Sequence, residues 1–287
     1  MFRFACLLLT LVAAPLSAQS ADKIYAQELV DRAVARHPEV LVLAMHVTPP
    51  KAAGNVIIAS NIGRIGKAAD EDDLRVVQTG KPNLEVNKTG DRFEAELVML
   101  DASRRAIGAL GVVYAYKAGD DKLALQKKAE GVRDELARRI SHVANLMEKY
   151  PFDASIPTRT FAQHLVDKAL DDNADIIIIA THVPAPTNKD YPIIASNIGR
   201  IGKKADEDDM DVIKTAKPKL ELNESGDRFE SEGVLRDSAG HVIGAVGVVF
   251  PYKNGDDQQA LHKRGDAIRD AWAKQIPAAA KLLEAYP

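Results

Sequence analysis

The sequence predicts an α/β chain of the α+β kind in which one domain is used twice, each copy a five-stranded antiparallel sheet with flanking helices. Two observations carry this. The string IIASNIGRIGK at 57–67 recurs unchanged at 193–203, and the same offset of 136 maps ADEDD at 69–73 onto 205–209, GDRFE at 90–94 onto 226–230 and GDD at 119–121 onto 255–257. Within each copy, apolar periodicity and turn residues give the order helix, two strands, short helix, three strands, helix. Units this long are domains and not solenoid repeats. With 46% apolar and 28% charged residues, the 287-residue chain has material for two modest cores.

In the first copy, residues 26–36 form an amphipathic helix that ends at His37-Pro38, because a residue before proline avoids the α region. The apolar run 40–47 follows, and its counterpart carries four consecutive isoleucines, so a buried strand fits it better than a helix. Pro49-Pro50 and Gly54 turn the chain into a second strand at 56–60, after which Gly63 and Gly66 mark irregular backbone with positive φ or close approach. Asp70 is the expected N-cap of a short helix to about Gln78, with Glu71, Asp72 and Asp73 in its first turn. Residues 84–87, 92–100 and 106–116 read as a three-stranded meander joined by turns, and Asp120-Asp121 caps one long helix over 122–148. Tyr150-Pro151 recurs as Tyr286-Pro287, which places the domains at 19–151 and 158–287 with a linker at 152–157.

The first 18 residues place Arg3 before an apolar run to Ala14, then Pro15 and small residues, the pattern of a secretory signal peptide. The protein is therefore expected to be periplasmic or secreted, with no membrane insertion after cleavage. Cys6, the single cysteine, lies inside that run, so neither disulfides nor a thiol nucleophile are expected. A formal net charge of −3 argues against a nucleic-acid partner.

The strings VIIASNIGRIGKAADEDD and DRFEAELVMLDASRRAIGALGVVY, with DRFESEGVLRDSAGHVIGAVGVVF in the second copy, resemble the extracytoplasmic Cache (PAS-like) sensor family. The resemblance spans about residues 56–116 and 193–252. It implies a domain that holds a small organic ligand between its sheet and the loops after the second strand. Members that grip amino acids carry an arginine and an aromatic residue at the start of the short helix, where this chain has Asp72 and Leu74, then Asp208 and Met210. Members also sit between two membrane helices, whereas here a separate membrane-spanning partner would have to receive the signal.

The candidate ligand residues follow from position. Asn61 and Arg64, with Asn197 and Arg200, stand on the glycine-interrupted loop; the alternative is a turn-capping amide and a surface arginine. Asp72 and Asp73, with Asp208 and Asp209, favour a cationic or amine-bearing ligand if they point inward, and otherwise complement the helix dipole in solvent. Arg92 and Glu94, with Arg228 and Glu230, form the polar face of an alternating strand, which either lines a pocket or is solvated. His46 and His182 read as hydrogen-bonded core residues. ADEDD lacks the alternating ligands and central glycine of a calcium loop, so no metal is predicted, and no cofactor either. No G-x-S-x-G, H-E-x-x-H, phosphate loop or cysteine cluster is present, so the chain is expected not to be an enzyme. The expected function is small-molecule binding with one pocket per domain, and the alternative is an adaptor whose paired domains bind a protein partner with no ligand.

Overall fold

The computed structural model describes residues 23–286, so the expected leader and Cys6 lie outside the described residues. The first domain runs α1 (Tyr25–Arg36), β1 (Val40–Val47), β2 (Val56–Ser60), α2 (Glu71–Thr79), β3 (Asn83–Val86), β4 (Arg92–Leu100), β5 (Ala106–Ala115), α3 (Lys122–Ala137) and the single turn α4 (Val143–Leu146). The second repeats it as α5 (Phe161–Asp172), β6 (Ile178–His182), β7 (Ile193–Ser196), α6 (Glu207–Thr215), β8 (Lys219–Leu222), β9 (Arg228–Arg236), β10 (Val242–Pro251), α7 (Gln258–Ala273) and α8 (Ala279–Leu282). Both sheets are antiparallel, in the orders β2-β1-β5-β4-β3 and β7-β6-β10-β9-β8. The meander is as expected, and β1 slots in beside β5 at the sheet's centre, which explains its nearly unbroken apolar sequence.

Strand alternation gives the sheet two unlike faces. Phe93, Ala95, Leu97 and Met99 of β4 are buried with Leu43, Met45 and Val47 of β1 against Leu29 and Val30 of α1 and Val132 and Leu136 of α3. Arg92, Glu94 and Glu96 point to the opposite face. Among the described residues α2 is the helix that crosses that side. Asp70 caps it through a capping box, its side chain accepting from the Asp72 and Asp73 amides while the Asp73 carboxylate accepts from the Asp70 N–H. Asp206 and Asp209 repeat the arrangement on α6.

The single helix expected over 122–148 is broken. After Ala137 the chain leaves the helix so that the buried Ile140 can accept from the Ala102 N–H through its carbonyl, and Asn145 caps the Ser141 N–H. An apolar stripe continues through the break, so periodicity alone reads it as continuous. The aligned residue in the second copy is Pro277, whose ring disfavours the α region at Ile276 and ends α7 by the same logic.

The break turns residues 138–148 toward the second domain. The Arg138 guanidinium donates to the carbonyls of Leu170 and Asn173, the latter at 3.1 Å, and Arg139 pairs with Asp167 at 3.1 Å. The linker continues the contact, with the Phe152 N–H donating to Ile201 O at 2.7 Å. No helix of the described residues is long and apolar enough to cross a membrane.

Candidate functional site

Beneath α2, a buried cluster joins helix to sheet. His46 of β1 lies with Nδ1 3.1 Å from Asp73 Oδ2, close enough for electrostatic contact though off hydrogen-bond angle, and Glu96 of β4 hydrogen-bonds to Asp73. Burial, the hydrogen bond to Asp73 and its negative charge push the Glu96 carboxyl up to about 9. Burial works against the Asp73 charge, but the neighbouring His46 and hydrogen bonds from Glu96 and the Asp70 N–H outweigh it and hold this carboxyl well below the usual range. Asp70, Asp73 and Glu96 bring carboxylate oxygens within 4.8 Å of one another, and helix capping together with one retained proton accounts for that approach. In the second copy, His182 lies 3.6 Å from Asp209, and burial and the neighbouring Asp209 push Glu232 up to about 9.

Beside this cluster, on the same face, a crevice of ≈ 300 Å³ is lined by Arg64, Arg92, Glu85 and Glu94, with Asn87 and the apolar Val42, Ile62 and Val113. The loop after β2 supplies Arg64 in a left-handed conformation, φ 65°, between Gly63 at φ 75° and Gly66 at φ 85°. A non-glycine residue there is a strained choice that marks a candidate functional position. Gly111 of β5 leaves room for the carboxylate of Glu94, which would come within 3.3 Å of a Cβ at that position. Glu85 and Glu94 stand directly opposite each other in the β3/β4 register. Like charges so placed repel. Burial raises the Glu94 pKa, as do the charges of Asp73 and Glu85. In the second domain Lys219 relieves the matching Glu221–Glu230 pair, its Nζ 2.6 Å from Glu221, whereas the aligned residue in the first domain is the neutral Asn83. Neither Arg64 nor Arg92 forms an ion pair with a carboxylate among the described residues.

Each domain has the PAS-like fold. The strand order and the helix across one face of each sheet decide this. No family model matches the sequence, and no curated protein matches it. Among solved structures, the chain is similar to a light-oxygen-voltage domain studied with a flavin analogue, at 17% identity and TM-score 0.20 over 35% of this chain and 93% of that one. It is similar to an RNA-binding light-oxygen-voltage receptor at 12% identity and TM-score 0.21 over 81% of this chain and 99% of that one. A third likeness is to PelD from Pseudomonas aeruginosa PAO1, at 14% identity and TM-score 0.27 over 90% and 81% of the two chains. With TM-scores this low, the assignment of the PAS-like fold rests on the strand order and not on these likenesses.

The two PAS-like domains differ most where their sequences are identical. Arg200, the counterpart of Arg64, is held by Glu148 of the first domain at 2.9 Å, and Arg228, the counterpart of Arg92, donates to Ser141 O at 3.2 Å. Tyr25 donates to Asn197 O, and Asn145 to Ile198 O, both at 3.0 Å. The first domain's tail thus lies across the crevice edge of the second, while among the described residues nothing lies across the same edge of the first domain.

The expected site residues separate accordingly. Arg64, Arg92 and Glu94 meet in one crevice. Asn61 is engaged with its own sheet, accepting from the Leu43 N–H at 2.9 Å and donating to Leu41 O at 3.1 Å. Asn197 does the same with Ile179 and Ile177 and also donates to Arg138 O at 2.8 Å, so both amides hold loop to strand and neither faces a ligand. Asp72 and Asp208 point outward, paired with Arg75 and Lys219, whereas Asp73 and Asp209 face the buried histidines. Arg200, Arg228 and the mostly buried Glu230 belong to the covered crevice. Sequence reasoning missed Glu85 and Asn87; the signal was the NLEVN–GDRFE hairpin, which brings them beside Glu94 and Arg92.

Proposed function

We propose that this protein is an exported, non-catalytic ligand-binding protein of the Cache type, whose first domain takes a small organic molecule bearing both an amine and an anionic group. The observation that carries the reading is the uncompensated Glu85–Glu94 pair facing Arg64 and Arg92 across one crevice. A cation between the glutamates relieves their repulsion, and the two guanidiniums offer forked donors to a carboxylate. The ≈ 300 Å³ volume lies at the lower end for small-molecule sites, which favours a ligand of amino-acid size. Export is supported by the pattern of residues 1–18, and signalling would then need a membrane-spanning partner.

The test is a thermal-shift screen of the protein against amino acids, polyamines, carboxylates and purines, with calorimetry on any hit. A zwitterionic hit abolished by Arg92→Ala and weakened at least ~10-fold by Glu94→Gln supports the reading. A clean negative across the panel favours a second reading, an adaptor that binds protein and no ligand. That alternative draws on the second domain, where the chain's own tail occupies the edge of the crevice.

A further inference from the structure

The string IIASNIGRIGK is present twice, in two environments. In the second domain it is an interface: Ile198 and Ile201 are each 2% exposed, and a Cβ on Gly199 or Gly202 would collide with Tyr25 or Asp153 of the preceding segment. In the first domain Ile62 is 44% and Ile65 58% exposed, and among the described residues nothing lies within 4 Å of a Cβ on Gly63 or Gly66. Among the described residues, the first domain therefore leaves uncovered the surface that the second buries.

Part of the complementary surface is also present twice, although Tyr25 aligns with Phe161, which lacks the hydroxyl that Tyr25 uses. The tail that covers the second domain consists of the end of α3, α4 and Glu148, and its counterpart at the end of α7 and α8 carries Glu284 at the position of Glu148. Several of the donors in the covered contact bond to backbone carbonyls, which survive a change of side chain: Arg228 to Ser141 O, Asn197 to Arg138 O and Asn145 to Ile198 O. The aligned residues keep this chemistry. By the same offset, Arg92 aligns with Arg228 and Pro277 with Ser141, Asn61 with Asn197 and Lys274 with Arg138, and Lys281, paired with Glu284 in the single chain, with Asn145. The charge pair Arg200–Glu148 becomes Arg64–Glu284. Pro277 and Glu284 are exposed, as an unoccupied tail requires.

We infer that the loop of Ile62, Arg64 and Ile65 in the first domain docks the α7–α8 tail of a second copy of this chain, repeating between molecules the contact that joins the two domains within one. Such a contact is heterologous, so it propagates head to tail into a closed ring or an open filament. The inference shares Arg64 and Arg92 with the ligand reading, but its readout is molecular size and not ligand binding, so either can fail without the other.

The test is sedimentation velocity of the full chain over a wide concentration series, with Ile65→Asp to block the loop and Glu284→Arg to block the tail. Both residues are exposed in the single chain, so neither change removes core packing. The wild-type chain should self-associate as its concentration rises, and each variant should associate at least ~10-fold more weakly. An equimolar mixture of the two variants, each keeping one competent surface, should form a heterodimer and nothing larger. A wild-type chain that stays monomeric, assembly indifferent to both variants, or a mixture without a heterodimer would each overturn the inference.

Discussion

The carboxyl pair Glu96 and Asp73 makes stability depend on pH in two opposite senses. Glu96, pushed up to about 9 by burial and by its neighbour, keeps a proton in the folded chain that it loses in the unfolded one. Between the ordinary glutamate range and about pH 9 the folded state therefore binds more protons, and stability falls as pH rises. Asp73, held low, stabilises the fold above the ordinary aspartate range and loses that contribution on acidification. Glu232 repeats the first term in the second domain. Replacing both glutamates by glutamine, the neutral isostere, should flatten the fall of melting temperature with alkaline pH, which a pH series of thermal melts reads directly. An undiminished slope would mean that the protons reside elsewhere. The proximity of these groups was only partly legible in the sequence. ADEDD announces a capped helix start, but nothing local says that Asp73 turns inward while Asp72 pairs outward with Arg75.

At the scale of the loop and strand, one string gives two energies. Asn61→Ala removes two hydrogen bonds at an exposed edge and should cost about 1 kcal/mol; Asn197→Ala leaves buried partners in both domains unsatisfied and should cost about 2–3 kcal/mol. Chemical denaturation of the two variants gives the comparison, and equal costs would argue that the loop environments are alike in solution. Phe93→Ala, on the strand packed under α3, should cost about 3–5 kcal/mol by opening a cavity in a core otherwise unchanged. The strands and helix starts were readable because alternation, Asp caps and glycine turns are local chemistry that the offset of 136 reports twice. The end of α3 was not, since Ile140 and Val143 extend the apolar stripe across a turn, and only Pro277 in the other copy betrays it. Unequal burial of identical residues lies beyond any local pattern: Ile62 and Ile198 sit in the same string and differ only in what precedes their domain.

For the whole molecule, on the proposed ligand reading the first domain is the receptor and the second the anchor. Titration calorimetry with a ligand found by the screen should give one molecule bound per chain, whereas two equivalent sites would show that the tail of the first domain yields readily. The docked tail of a second copy would lie against Arg64, so such a ligand should also shift the sedimentation of the wild-type chain toward smaller species. The covering of the second crevice has a kinetic and thermodynamic side that follows from its tether. The tail reaches its groove through a connection only as long as residues 152–157, so it meets that groove at an effective concentration of roughly millimolar, whatever the dilution of the protein. A free solute at micromolar levels competes against a plug that never diffuses away, and the second domain stays closed to it in any dilute compartment.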